Sequence, residues 1–136
     1  MKDNCFLDTN VLIYLFSKEI EKQNTIISLL NEDKTFVISH HIIMEFCNVL
    51  KKKFHCNKEN ILIAINDFKR NFEIKPKDDI IILKALEISD KYKYSFFDSI
   101  VISNALTANC NILYSEDMQH LQKINKKLTI LNPFKL

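Results

Sequence analysis

The sequence predicts an α/β protein, a three-layer α/β/α sandwich around a central, mainly parallel sheet of four or five strands. Three observations point there. Short apolar segments of strand length at 5–7, 35–39 and 111–114 alternate with stretches whose apolar residues recur at helical spacing. The connections often hold two helices, long enough for the crossovers that parallel strands require. The 136 residues, 47% of them hydrophobic, fit one domain with a core, so 1–136 is read as a single unit.

Residues 5–7 are apolar and run into Asp8-Thr9-Asn10, as a buried strand does where a helix begins. Those polar residues then lie at the carboxyl end of the strand, where open α/β sheets bind ligands. Ile20, Asn24, Ile27 and Leu30 continue a helical rhythm, and 35–39 reads as a second strand. Ile42, Ile43, Phe46, Val49 and Leu50 follow the spacing of an amphipathic helix, with Glu45 beside the stripe. Asn57 suits the cap of a helix carrying Ile61, Ala64, Ile65, Phe68 and Phe72, and Asp78 the start of another through Ile82, Ala85 and Leu86. Residues 95–98 precede a helix in which Asp98, Val101, Ile102 and Ala105 share a face. A third strand at 111–114 ends at Ser115-Glu116-Asp117, and 129–131 suits a closing edge strand. Right-handed crossovers would put Asp8 and Asp117 on one rim. There is no glycine and the only prolines are Pro76 and Pro133, so the usual turn signals are missing.

Composition excludes several classes. The longest apolar run, 11–16, is far short of the roughly 18 residues of a membrane span. Met1-Lys2-Asp3-Asn4 is not a secretory signal, and a cytoplasmic protein is expected, with no membrane role. Cys5, Cys47, Cys56 and Cys110 lack paired spacing, so free thiols are expected rather than disulfides or a zinc site. His40, His41 and His120 read as ordinary hydrogen-bonding residues. The net charge of +2 names no partner, but cationic residues cluster at Lys51-Lys52-Lys53, Lys69-Arg70, Lys91 with Lys93, and Lys123 with Lys126-Lys127. These suit either a phosphate backbone or solvated helix faces.

Four carboxylates stand at the edges of apolar segments: Asp8 after Phe6-Leu7, Glu45 after Ile42-Ile43-Met44, Asp98 after Phe96-Phe97, and Asp117 soon after Leu113-Tyr114. Partly buried carboxylates are unfavourable unless paired, hydrogen-bonded or bound to a cation. If the fold gathers all four, the simplest compensation is a divalent metal, and the chain reads as a metal-dependent hydrolase. Each acid also has an ordinary reading. Asp8 or Asp98 could cap a helix, Glu45 could pair with a lysine, and Ser115 and Asp117 could be turn residues. Thr9 and Asn10 could bond exposed helix N–H groups. Independent coincidences at all four places are the harder account.

In this order and spacing the residues resemble the PIN domain family, and within it the toxin component of VapBC-type toxin–antitoxin systems. The landmarks are Leu7-Asp8-Thr9-Asn10, Ser39 with Glu45 six residues on, Phe97-Asp98-Ser99, and Tyr114-Ser115-Glu116-Asp117, spanning nearly the whole chain. The resemblance implies an endoribonuclease dependent on Mg2+ or Mn2+, commonly a homodimer, held inactive by a cognate antitoxin that covers the acidic pocket. It makes Asp8, Glu45, Asp98 and Asp117 the catalytic and metal-binding acids, with Asn10 and Ser115 as polar supports. Thr9 joins them as a supporting residue. Glu116, where members often carry another residue, receives only a supporting role.

Mg2+ takes oxygen ligands and usually only one or two carboxylates directly, so four acids suffice for one ion with outer contacts or for two sharing the site. Asp8 and Asp117, at strand ends, are expected as the most direct ligands. Asp98 would complete the inner shell or hold a metal water, and Glu45 would position or deprotonate the nucleophilic water. Attack by water on RNA would leave a 5′-phosphate and a 3′-hydroxyl. The main alternative is a non-catalytic PIN-like RNA-binding or scaffold domain, although a binder of phosphate gains nothing from a negative pocket. A covalent phosphatase usually carries a second Asp two residues after its nucleophile, where this chain has Asn10.

Overall fold

A computed structural model describes residues 2–136. The chain forms six strands: β1 Asn4–Leu7, β2 Thr35–Ser39, β3 Glu73–Lys75, β4 Ile112–Tyr114, β5 Lys123–Ile124 and β6 Leu128–Leu131. The helices are α1 Thr9–Leu12, which tightens into a 3-10 turn at Ile13–Phe16, then α2 Ile20–Leu30, α3 His40–Lys52, α4 Lys58–Asn71, α5 Asp79–Tyr92 and α6 Phe96–Thr107. A last 3-10 turn covers Pro133–Lys135.

The strands form one sheet in the order β3-β2-β1-β4-β6-β5, parallel throughout except for β5 against β6. From β1 the chain winds outward through β2 to β3, then crosses back to β4 on the other side of β1. Right-handed crossovers place α1 to α4 on one face and α5 with α6 on the other. The reversal between β1 and β4 opens a crevice beyond their carboxyl ends, the usual ligand site of such sheets. Leu7 is in register with Tyr114, and Asp8 N–H donates to the Tyr114 carbonyl at 3.0 Å. The residues just after both strands are therefore neighbours.

The sheet has more strands than the four or five expected. Strands β3 and β5, short and rich in Glu and Lys, have no apolar signature, while the segment expected to close the sheet as its edge pairs on both sides, with β4 and with β5. Asn57 and Asp78 cap their helices as expected, and Ser39 and Ser95 likewise accept a backbone N–H of the following helix. Two helix faces differ from expectation. Helix α2 buries Ile26 and Leu29 and leaves Ile20 and Ile27 exposed, and α5 buries Ile81, Ala85 and Ile88 while Ile82 and Leu86 face outward. Apolar residues surround both helices, so periodicity alone does not select the packed side. Helix α6 is buried along the whole stretch from Ser99 to Ala105, with Ile100 against Ile81 and Ala85 of α5 and Val101, Ile102 and Ala105 in the main core.

Turns are made without glycine. His55, Lys93, Asn109, Leu121, Asn125 and Lys126 all take positive φ. Asn125 and Lys126, at φ 52 and 58, are the central residues of a turn within the three-residue connection between β5 and β6, closed by Lys127 N–H to the Ile124 carbonyl at 3.0 Å. That is the geometry of a primed hairpin turn, where Asn-Gly is the usual pair. The four cysteines are free, Cys5 and Cys110 buried, and no described helix is long and apolar enough to cross a membrane.

Candidate active site

Asp8 follows the last residue of β1 and caps α1, its Oδ1 accepting from Thr9 N–H at 2.7 Å. Its Oδ2 accepts from Ser115 Oγ at 2.9 Å and from Asn10 Nδ2 at 3.2 Å. The residue is only 5% exposed, and burial raises its carboxyl from the ordinary 3.8 to about 7. The Ser115 and Thr9 hydrogen bonds oppose that rise, while the negative charges of Glu45 and Asp98 add to it. The capping reading of Asp8 therefore holds, but capping uses one oxygen and leaves the other within a buried network.

Asn10 organises that network. Its Oδ1 accepts from Glu116 N–H at 3.1 Å, which fixes the amide so that Nδ2 points at Asp8 Oδ2, at Ser115 Oγ (3.3 Å) and at Asp117 Oδ2 (3.1 Å). One amide thus bridges the ends of β1 and β4. Ser115 is fully buried and anchored by its N–H to the Leu131 carbonyl at 3.0 Å, whereas Asp117 is exposed.

The other two acids come from helices. Glu45 lies one turn into α3, half-buried, with Oε2 accepting from Thr9 Oγ1 at 3.0 Å and Oε1 2.8 Å from His41 Nε2. The His41 ring nitrogen is close but not aligned as a hydrogen-bond donor, so the contact is a charge contact that depends on ring protonation. The His41 contact first, and the Thr9 bond after it, hold the Glu45 carboxyl below the usual range against the opposing effect of burial. Asp98 sits in the first turn of α6, where Ser95 and not Asp98 is the cap: Ser95 Oγ accepts from Asp98 N–H at 3.2 Å. Burial raises the Asp98 carboxyl, the Ser95 bond opposes this, and the negative charges of Asp117 and Glu45 raise it further.

All four acids line one cleft of about 180 Å3, together with Thr9, Asn10, Ile13, Val49, Phe97 and Val101. Three larger clefts, about 580, 520 and 380 Å3, have other linings, and none gathers a comparable set of carboxylates. Ser115 stands behind the cleft wall. Glu116 turns to Tyr14 and Lys22, accepting from Tyr14 Oη at 2.6 Å and from Lys22 Nζ at 2.8 Å. His41, Tyr14 and Lys22 were not among the expected site residues. His41 had a readable signal, its i, i+4 spacing to Glu45; Tyr14 and Lys22 are about a hundred residues from Glu116 and had none.

The donor set suits a hard divalent cation: every candidate ligand is oxygen, negative charge is in excess, and one carboxylate is buried at the cost of a strongly raised pKa. As the side chains stand, no three His, Cys, Asp or Glu groups among the described residues are close enough to enclose one ion. An ion held here would contact one or two carboxylates directly and reach the others through water.

The sequence model of the PIN domain matches residues 5–127. The chain belongs to the PIN domain family. Solved structures with the same fold include a toxin–antitoxin complex from Klebsiella pneumoniae, at TM-score 0.70 and 23% identity over 95% of this chain and 97% of that one. VapBC-1 from nontypeable Haemophilus influenzae aligns at TM-score 0.67 and 21% identity over 96% and 98% of the two chains. VapC20 of Mycobacterium tuberculosis, a toxin that cleaves the sarcin–ricin loop, aligns at 0.65 and 16% identity over 80% and 86%. No curated protein sequence matches the chain. In this PIN domain the acidic cleft occupies the switch point between β1 and β4, so the sheet topology and the acids indicate the same place.

Proposed function

We propose that this PIN domain is an endoribonuclease dependent on Mg2+ or Mn2+, and the toxin of a toxin–antitoxin pair. The observation that carries the reading is the acidic cleft, four carboxylates from the end of β1, from α3 and α6 and from the segment after β4 lining one small space. Asp8 and Asp117, joined through Asn10, are the residues that would hold the ion most directly, with Asp98 and Glu45 completing the set. A divalent cation supplies positive charge against a phosphodiester and makes a neighbouring water more acidic. The chain's own share is orientation. Ser115 and Asn10 fix Asp8, Thr9 fixes Glu45, and Glu45, kept anionic, would take the proton of the attacking water as its oxygen bonds to phosphorus and the P–O3′ bond breaks, the leaving 3′-oxygen taking a proton from solvent.

RNA is the proposed substrate because a toxin of the same fold, VapC20, cleaves an RNA loop, and the carboxylates here suit metal-assisted attack by water on a phosphodiester. The lysine clusters noted in the sequence suit its phosphates. The cognate antitoxin is the proposed protein partner. Support comes from exposed apolar side chains, Leu62 and Ile63 on α4 and Leu83 and Leu86 on α5, and from toxin–antitoxin complexes among the structures of the same fold. A homodimer would cover one such face.

The test is incubation of purified protein with structured RNA in Mg2+, in Mn2+ and in chelator, alongside Asp8→Asn. Cleavage in metal alone, leaving 5′-phosphate and 3′-hydroxyl ends and absent in the variant, is the expected result. Cyclic phosphate ends, or equal cleavage by Asp8→Asn, would overturn the assignment. RNA binding without cleavage in either metal would instead favour a non-catalytic domain.

A further inference from the structure

Glu116 is the acid of the segment after β4 that the cleft does not use, and it is the one held most firmly. Beyond its bonds to Tyr14 Oη (2.6 Å) and Lys22 Nζ (2.8 Å), its N–H donates to Asn10 at 3.1 Å and its carbonyl accepts from Asn132 Nδ2 at 3.3 Å. Lys22 also lies 5.0 Å from the Tyr14 ring centre and 4.9 Å from that of Phe134, and the two rings meet edge to face at 5.0 Å. A single ammonium from α2 thereby ties together the turn after α1, the C-terminal turn and the segment that carries Asp117. Asp117 itself is exposed and, among the described residues, has one side-chain hydrogen bond, from Asn10. Its place in the cleft is set by the backbone of its neighbour.

We propose that Lys22 and Glu116 are positioning residues for Asp117: their ion pair, closed by Tyr14, holds the segment after β4 so that the cleft binds its divalent cation tightly. The inference rests on the metal reading above. A purely electrostatic role for Lys22 makes the opposite prediction. Removing a cation beside an acidic cleft should strengthen cation binding, whereas loosening Asp117 should weaken it. The sign of the change decides between them.

Mn2+ titration calorimetry on the full chain, without RNA, reads that sign. Lys22→Met is expected to weaken Mn2+ binding about tenfold or more, as loss of a residue that orients a metal ligand does. Lys22→Arg, which keeps the ion pair, should restore most of the affinity. Tyr14→Phe removes only the hydroxyl and should weaken binding by a smaller factor, and it decides the matter if Lys22→Met does not fold. Unchanged or tighter binding in the folded variants would overturn the proposal. A wild-type chain that binds no Mn2+ would instead remove the metal reading itself, and the positioning role of Lys22 and Glu116 with it.

Discussion

The cleft has two unlike halves. On the strand side, Asp8, Asn10 and Ser115 form a closed network, with Asp8 and Ser115 buried and every Asp8 oxygen bonded. On the helix side, Glu45 and Asp98 are half-buried, Glu45 held by Thr9 of α1 and His41 of its own helix, and Asp98 placed by the cap of α6. The first half is expensive in electrostatic free energy, and the second is less so because its acids keep partial access to solvent. The contrast is between a sheet-end carboxylate that is buried and fixed by hydrogen bonds and helix acids that keep partial contact with solvent.

The strongest way to sharpen that contrast is Asp8→Asn with pH as the variable. The carboxyl of Asp8 titrates at about 7 in the fold against an ordinary 3.8, so the folded chain holds this proton more tightly than the unfolded one. The contribution to stability is full below the lower value and is lost as pH rises towards the upper one. Metal-free wild type should lose stability relative to the variant across that window, by on the order of a few kcal/mol, and saturating Mn2+ should cancel the loss. Denaturant melts at several pH values check this, and parallel pH profiles would break the comparison.

Glu45→Gln should behave as a member of the open half. RNA cleavage is expected to fall about a hundredfold, in the range for loss of a general base. Melting should change little, by roughly 0.5 kcal/mol or less, as for a partly solvated position. A large loss of stability would mean that the two halves are one unit. The smallest effect is expected far from both. Lys126→Gly, at φ 58, should raise stability by about 0.5–1 kcal/mol with cleavage unchanged. A shift in cleavage there would show that the site feels the hairpin.

What the sequence revealed follows the range of each interaction. The strand-to-helix junction at Asp8, the caps at Asn57 and Asp78 and the stripe on α3 are local patterns, and all were legible. The strands at Glu73–Lys75 and Lys123–Ile124 were not, because so few residues, three of the five charged, are strands only by virtue of their partners. The outward faces of α2 and α5 were misread because both helices are apolar on several sides. In the site, the four acids could be named one by one, but not the amide of Asn10 that joins residues 8, 115 and 117 or the ion pair between residues 22 and 116. Those contacts exist only after the chain has closed.

The glycine-free turns have a thermal consequence. With a Cβ on every residue the denatured chain samples fewer backbone states than a protein of ordinary composition, so melting releases less entropy per residue. Since the midpoint is the ratio of enthalpy to entropy, a given heat of unfolding corresponds to a higher melting temperature. The six left-handed residues oppose this with strain confined to a few corners, while the entropy saving is spread along the entire length.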